Sequence, residues 1–109
     1  MANTRRESFA AFVLDQLSSL PGVAARRMFG GHGLYLGGAF FGIIHDGRLF
    51  FRTDEGSLGE YVSRGMKPFR PNPRQTLKHY LEVPVDVIEQ PPLLCAWARR
   101  AAEARGTSK

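Results

Sequence analysis

A chain of 109 residues with 43% hydrophobic and 23% charged side chains has apolar surface for one self-supporting domain and too little for two. Fifteen Lys and Arg against ten Asp and Glu leave a net charge of +5, which points toward an anionic partner without specifying one. The one cysteine, Cys95, excludes an internal disulfide, and no apolar run reaches the ~18 residues of a membrane span, so a cytoplasmic protein is expected.

Thr4 and Glu7 make the S/T-x-x-E pattern of a capping box. Phe9, Phe12, Val13, Leu17 and Leu20 follow at helical spacing, so a first helix with one apolar face runs to a Pro21-Gly22 stop. Val23 to Phe29 reads as an edge strand. Gly30, Gly31 and Gly33 break the chain before Leu34-Tyr35-Leu36, which runs into Gly37-Gly38.

Ala39 to His45 and Arg48 to Thr53 are strands joined by Asp46-Gly47, the signature of a two-residue type I′ turn. That turn sets His45 opposite Arg48, Ile44 opposite Leu49 and Ile43 opposite Phe50. Strict alternation then places Phe40, Ile44, Leu49 and Phe51 on one face. Phe41, Ile43 and Phe50 fall on the other, fringed by His45, Arg48 and Arg52.

Asp54 caps a short helix through Val62, ended by Gly65. Residues 66–76 hold Pro68, Pro71 and Pro73 and read as a loop or broken edge strand. His79 to Val83 is a strand and Asp86 to Gln90 a turn. Pro91-Pro92 opens a last helix with Leu94, Trp97, Ala98 and Ala101 on one face, and residues 104–109 form a frayed tail.

Several of these landmarks occur together in one known family. They are Arg27-Met28-Phe29-Gly30-Gly31, Gly33-Leu34-Tyr35, Phe41-Gly42-Ile43-Ile44 and Asp46-Gly47-Arg48-Leu49-Phe50-Phe51-Arg52. Met66, Pro68-Phe69, Tyr80-Leu81-Glu82-Val83-Pro84 and Trp97-Ala98-Arg99-Arg100 continue the series, so nearly the whole chain is covered. In this it resembles the N-terminal domain of the TfoX/Sxy competence regulators. The resemblance implies a two-layer α+β domain over residues 1–109, in the order α-β-β-β-α-β-β-α. It further implies an antiparallel sheet of about five strands with the helices chiefly on one face. Full-length members carry a second, helical domain and regulate competence genes with the cyclic-AMP receptor protein. This chain is expected to be a stand-alone N-terminal domain, and the family supplies no catalytic residues.

The residues themselves offer no catalytic, cofactor or metal site. Phe29-Gly30-Gly31-His32-Gly33 lacks the Lys and the following helix of a phosphate loop and reads as a tight turn or bulge. Cys95 lies among Leu93, Leu94 and Ala96, where a half-buried structural thiol is the default. His32, His45 and His79 share no metal-ligand spacing. Asp54 and Glu55 suit a helix N-terminus better than acid–base work.

Two surfaces stand out. Between Glu60 and Glu82 there is no acid, but Arg64, Lys67, Arg70, Arg74 and Lys78 are interleaved with Phe69 and Tyr80. This segment is either a solvated basic loop or a contact for nucleic acid or a partner. The cluster of Phe41, Ile43 and Phe50 with Arg48 and Arg52 reads as core or as a dimer or partner face, with a nucleic-acid platform as the alternative. The expected function is a non-enzymatic bacterial regulatory or adaptor domain. It is linked to transcriptional regulation of competence-type genes and acts by protein–protein contact, as a homodimer and with transcription machinery among its partners. The rival readings are a weak nucleic-acid-binding protein using segment 64–78, and a small-ligand binder or enzyme of unknown type.

Overall fold

The structure, a computed structural model, describes residues 4–28 and 30–104, with side chains from Ser8 onward. The Thr4–Glu7 capping pair, Phe29 and the tail from 105 therefore lie outside the described side chains. The element order is α1 (Thr4–Gln16), β1 (Val23–Met28), β2 (Gly31–Leu36), β3 (Ala39–His45), β4 (Arg48–Arg52) and α2 (Glu55–Ser63). It continues with β5 (Pro68–Asn72), β6 (Gln75–Glu82), α3 (Val85–Ile88) and α4 (Pro91–Glu103). One antiparallel sheet of six strands, in the order β1-β2-β3-β4-β6-β5, carries the helices on one face.

This is the expected α+β architecture with two additions. Four strands rather than the expected three precede α2, which makes six in all, and the proline-bearing stretch after Lys67 is the broken edge strand β5, lying where a missing backbone donor breaks no ladder. The turn expected at 86–90 is mostly the single-turn helix α3.

The helix-side core joins Val13, Leu17 and Leu20 to Leu34, Phe41, Ile44, Leu49, Phe51 and Leu81, with Val87, Leu94 and Ala98 closing it. Phe12, expected on the apolar face of α1, is 42% exposed instead. With about 100° between successive residues, it lies about 100° from Val13 and about 140° from Leu17, outside the buried stripe.

The central hairpin has the anticipated register. His45 pairs with Arg48, Ile44 with Leu49 and Ile43 with Phe50. Asp46 and Gly47 take φ of 53° and 74°, as a type I′ turn requires. The face assignment nevertheless fails at its far end. On the other side of β3, Leu34 pairs with Gly42 but Tyr35 pairs with Phe40, so Phe41 is an extra residue without a β2 partner. This bulge interrupts alternation, and Phe41 joins Ile44, Leu49 and Phe51 under the helices while Phe40 turns to the opposite face. Gly42 points the same way as Phe41. A Cβ there would lie 3.1 Å from Phe51 and 3.3 Å from Leu34, so its bare backbone leaves room for the neighbouring rings.

The face away from the helices, the strand side, has a small core of its own. Ile43, Phe50 and Phe69 are buried together, with Phe40, Leu77 and Tyr80 around them. Phe69 is on β5, yet its ring centroid is 5.3 Å from that of His45 on β3. Strands spaced 4.7–4.9 Å apart would hold β3 and β5 about 14 Å apart in a flat sheet. The β5–β6 hairpin must therefore curl over the strand side. The bend lies in β6, where Pro68 pairs with Leu81 and Phe69 with Leu77, leaving Lys78, His79 and Tyr80 unmatched by β5. Buried Thr53 braces this bend: its amide and its hydroxyl both donate to the His79 carbonyl, at 2.7 and 3.1 Å.

Candidate binding face

Charge is divided between the two layers. The strands and their turns carry Arg26 and Arg27 on β1, Arg48 and Arg52 on β4, and Lys67, Arg70, Arg74 and Lys78 in and beside the β5–β6 hairpin. Only two carboxylates, Asp46 and Glu82, accompany these eight cations. The other eight of the ten acids belong to helices or their caps, so the strand layer's eight cations less two carboxylates account for the chain's positive balance.

On the strand side, beyond the cover of the hairpin, three half-buried aromatic rings form a row. Tyr35 and Phe40 have centroids 5.2 Å apart, and Phe40 and Tyr80 5.5 Å. Arg26 lies over the outer ring, its guanidinium carbon 5.7 Å from the Tyr35 centroid. Arg52 stands opposite Tyr80 in the β4–β6 ladder. Burial pushes the Tyr80 hydroxyl above its ordinary range, and Arg52 partly offsets that rise. The row depends on Gly33. A Cβ at this position would meet the Met28 thioether at 2.8 Å and the Phe40 ring at 2.9 Å, so both side chains cross bare backbone there.

Where the hairpin meets β4, a groove of about 460 Å³ is lined by Arg48, Phe50, Lys67, Pro68, Arg70, Thr76 and Glu82. Arg48 donates to Glu82 at 3.1 Å and remains 61% exposed. The Arg70 guanidinium donates to the Pro73 carbonyl at 2.8 Å, which holds it along the hairpin.

The two clusters expected from sequence are thus redistributed. Lys67 and Arg70 of the basic segment join Arg48 of the hairpin in one groove. Arg74 occupies the β5–β6 turn, where its amide donates to the Asn72 side chain at 2.9 Å, and Lys78 lies at the bend in β6. Arg64 leaves the group altogether. It lies on the helix side, 3.2 Å from Asp86 and 5.5 Å from the Trp97 ring centroid. Of the expected dimer or partner face, Phe41 belongs to the helix-side core, and Ile43 and Phe50 are buried beneath Phe69. The uncovered apolar face that motivated a homodimer is therefore filled from within the chain. Arg26, Tyr35 and Phe40 were missed because the bulge at Phe41 decides which ring faces outward, and it is set by pairing with β2.

The helix side holds the other notable groups. Asp54 accepts from the Ser57 amide at 2.9 Å while the Ser57 hydroxyl accepts from the Asp54 amide at 3.0 Å, a reciprocal cap for α2. Desolvation raises the Asp54 carboxyl, but the Ser57 hydrogen bonds and the Arg100 guanidinium at 3.2 Å outweigh it and hold the group below its ordinary 3.8. A smaller groove of about 300 Å³ runs between α2 and α4, beside Tyr61, Trp97 and Arg100. Burial pushes the Tyr61 hydroxyl upward. Cys95 is half-buried on α4, its thiol donating weakly to the Gln16 carbonyl at 3.7 Å. Among the described residues no three His, Cys, Asp or Glu side chains converge, and no helix is long and apolar enough to cross a membrane.

Comparison with known proteins agrees with this architecture. No curated protein matches the chain. The family model of the TfoX N-terminal domain matches residues 15–105, from the end of α1 through α4. The chain belongs to the TfoX N-terminal domain family.

Proposed function

We propose that this chain is a non-enzymatic regulatory module that holds an acidic macromolecular partner against the strand side of its sheet. In this reading it serves transcriptional control of the competence type in the cytoplasm, through contact and without chemistry on its partner. The observation that carries the reading is the division of charge. Eight cations and two carboxylates share the layer that also presents the half-buried aromatic row, while the helices and their caps hold eight carboxylates against five arginines. A one-signed surface beside rings concentrates counter-charged partners and gives them something to pack on.

Immobilised heparin, a polyanion with no sequence to read, tests this directly. Arg26→Glu and Arg99→Glu change net charge equally, but Arg26 lies on the strand side and Arg99 is exposed on α4. Arg26→Glu elutes at clearly lower salt than wild type, and Arg99→Glu elutes close to it. Equal shifts for the two variants reduce retention to net charge and defeat the reading.

A further inference from the structure

We propose that the acidic partner is single-stranded nucleic acid, with bases seated on the Tyr35–Phe40–Tyr80 row and phosphates held by the cations along it. This rests on the strand-side reading above and names its occupant.

Three observations select that occupant. The first is the pairing of π-faces with cations at one place. Phe40 lies between two tyrosines at 5.2 and 5.5 Å, all three half-buried, and Arg26 and Arg52 flank the ends. A single strand offers bases for the rings and phosphates for the flanking cations, and aromatic rings accept any base because every base has a π-face. An acidic peptide would use the arginines and leave the rings without a matching group.

The second is the course of the cations. From Arg26 and Arg52 beside the row, the positive surface continues along β4 to the groove of Arg48, Lys67 and Arg70. A track of this kind positions a phosphate backbone. Glu82 is the single carboxylate lining that groove, and Arg48 already pairs with it.

The third is the shape of the face. The β5–β6 hairpin rises over it and buries Phe69 against Phe50. In a duplex the base faces are covered by their neighbours, so rings in this position gain nothing from it. A second copy of the chain fits worse, because two-fold pairing through this face brings two surfaces of the same positive sign together.

Fluorescence anisotropy with a labelled thymidylate oligomer of about a dozen nucleotides tests the inference. A duplex of equal length and a labelled poly-glutamate peptide serve as comparisons. Wild type binds the single strand more tightly than either. Tyr35→Leu combined with Tyr80→Leu keeps the apolar contacts, removes both rings, and weakens oligomer binding about ten-fold or more per ring. Tyr35→Phe with Tyr80→Phe retains the rings and binds like wild type. Arg26→Gln with Arg52→Gln lowers the slope of log affinity against log salt by about 1.4. That arm stands if the leucine variant does not fold.

Undiminished oligomer binding by the folded leucine variant, or an unchanged slope in the glutamine variant, overturns the inference. Poly-glutamate or duplex binding as tight as that of the single strand also overturns it, while leaving the acidic-partner reading intact. Failure of every anionic probe, heparin included, at low salt removes both.

Discussion

The rings of Phe69 and Phe50 lie 4.8 Å apart, centroid to centroid, although β6 separates their strands in the sheet. That contact closes the hairpin over the strand side and seals Ile43, which is fully buried there. Phe69→Ala removes the lid residue and leaves a cavity against Phe50, so it should destabilise the fold by about 3–5 kcal/mol. Phe69→Leu, which refills part of the space, should cost less. Denaturant unfolding of both variants measures the difference, and equal stability of Phe69→Ala and wild type would mean that the hairpin does not seal this core.

Gly33 links stability to the binding face. Adding one methyl places it within 3 Å of both the Met28 thioether and the Phe40 ring, and the flexible thioether yields more readily than the ring. Gly33→Ala should cost about 1–3 kcal/mol through overpacking and displace the middle of the aromatic row. Its oligomer affinity should fall even at temperatures where circular dichroism shows it folded.

Much of the fold can be read from local chemistry, and the binding face cannot. Asp46-Gly47 announces itself because two consecutive positive φ angles suit few other residue pairs, and Asp54 announces a helix start because a carboxylate can satisfy the free amides. Phe41 carries no such mark. Its bulge exists only because β2 pairs with Gly42 and then with Phe40, a relation between segments, and one inserted residue exchanges the roles of two adjacent phenylalanines. Phe69 was hidden for a similar reason. The prolines on either side leave a broken edge strand as one of two readings, but only the bend at Lys78–Tyr80 brings the ring onto Phe50.

The Asp54–Ser57 cap makes a pH-dependent contribution whose sign is determined. The folded-state carboxyl lies below its ordinary value of 3.8, so its contribution is present at neutral pH and is lost as pH falls through the acid range below that value. Asp54→Ala should lower stability at pH 7 by about 1 kcal/mol, most of it from the cap because the Arg100 pair is solvent-screened. The gap between wild type and variant should shrink toward pH 3. A gap that widens on acidification would show that the carboxylate is not stabilised in the folded state.

Cys95 should behave as a packing residue. Its half-buried thiol on α4 faces the Gln16 carbonyl, and no cluster of three His, Cys, Asp or Glu side chains forms among the described residues. Labelling by a thiol reagent at neutral pH should be slow in the folded protein and fast after unfolding. Rapid labelling of the folded chain would show an exposed, activated thiolate.

The strand side as binding face is tested most directly by amide chemical-shift mapping with the thymidylate oligomer. The largest shifts should fall on Arg26, Tyr35, Phe40, Arg52 and Tyr80, with smaller ones at Lys67 and Arg70, and the α2–α4 groove near Gly56 and Trp97 should stay unmoved. Shifts concentrated in that helix-side groove, with the aromatic row silent, would contradict the assignment of the binding face.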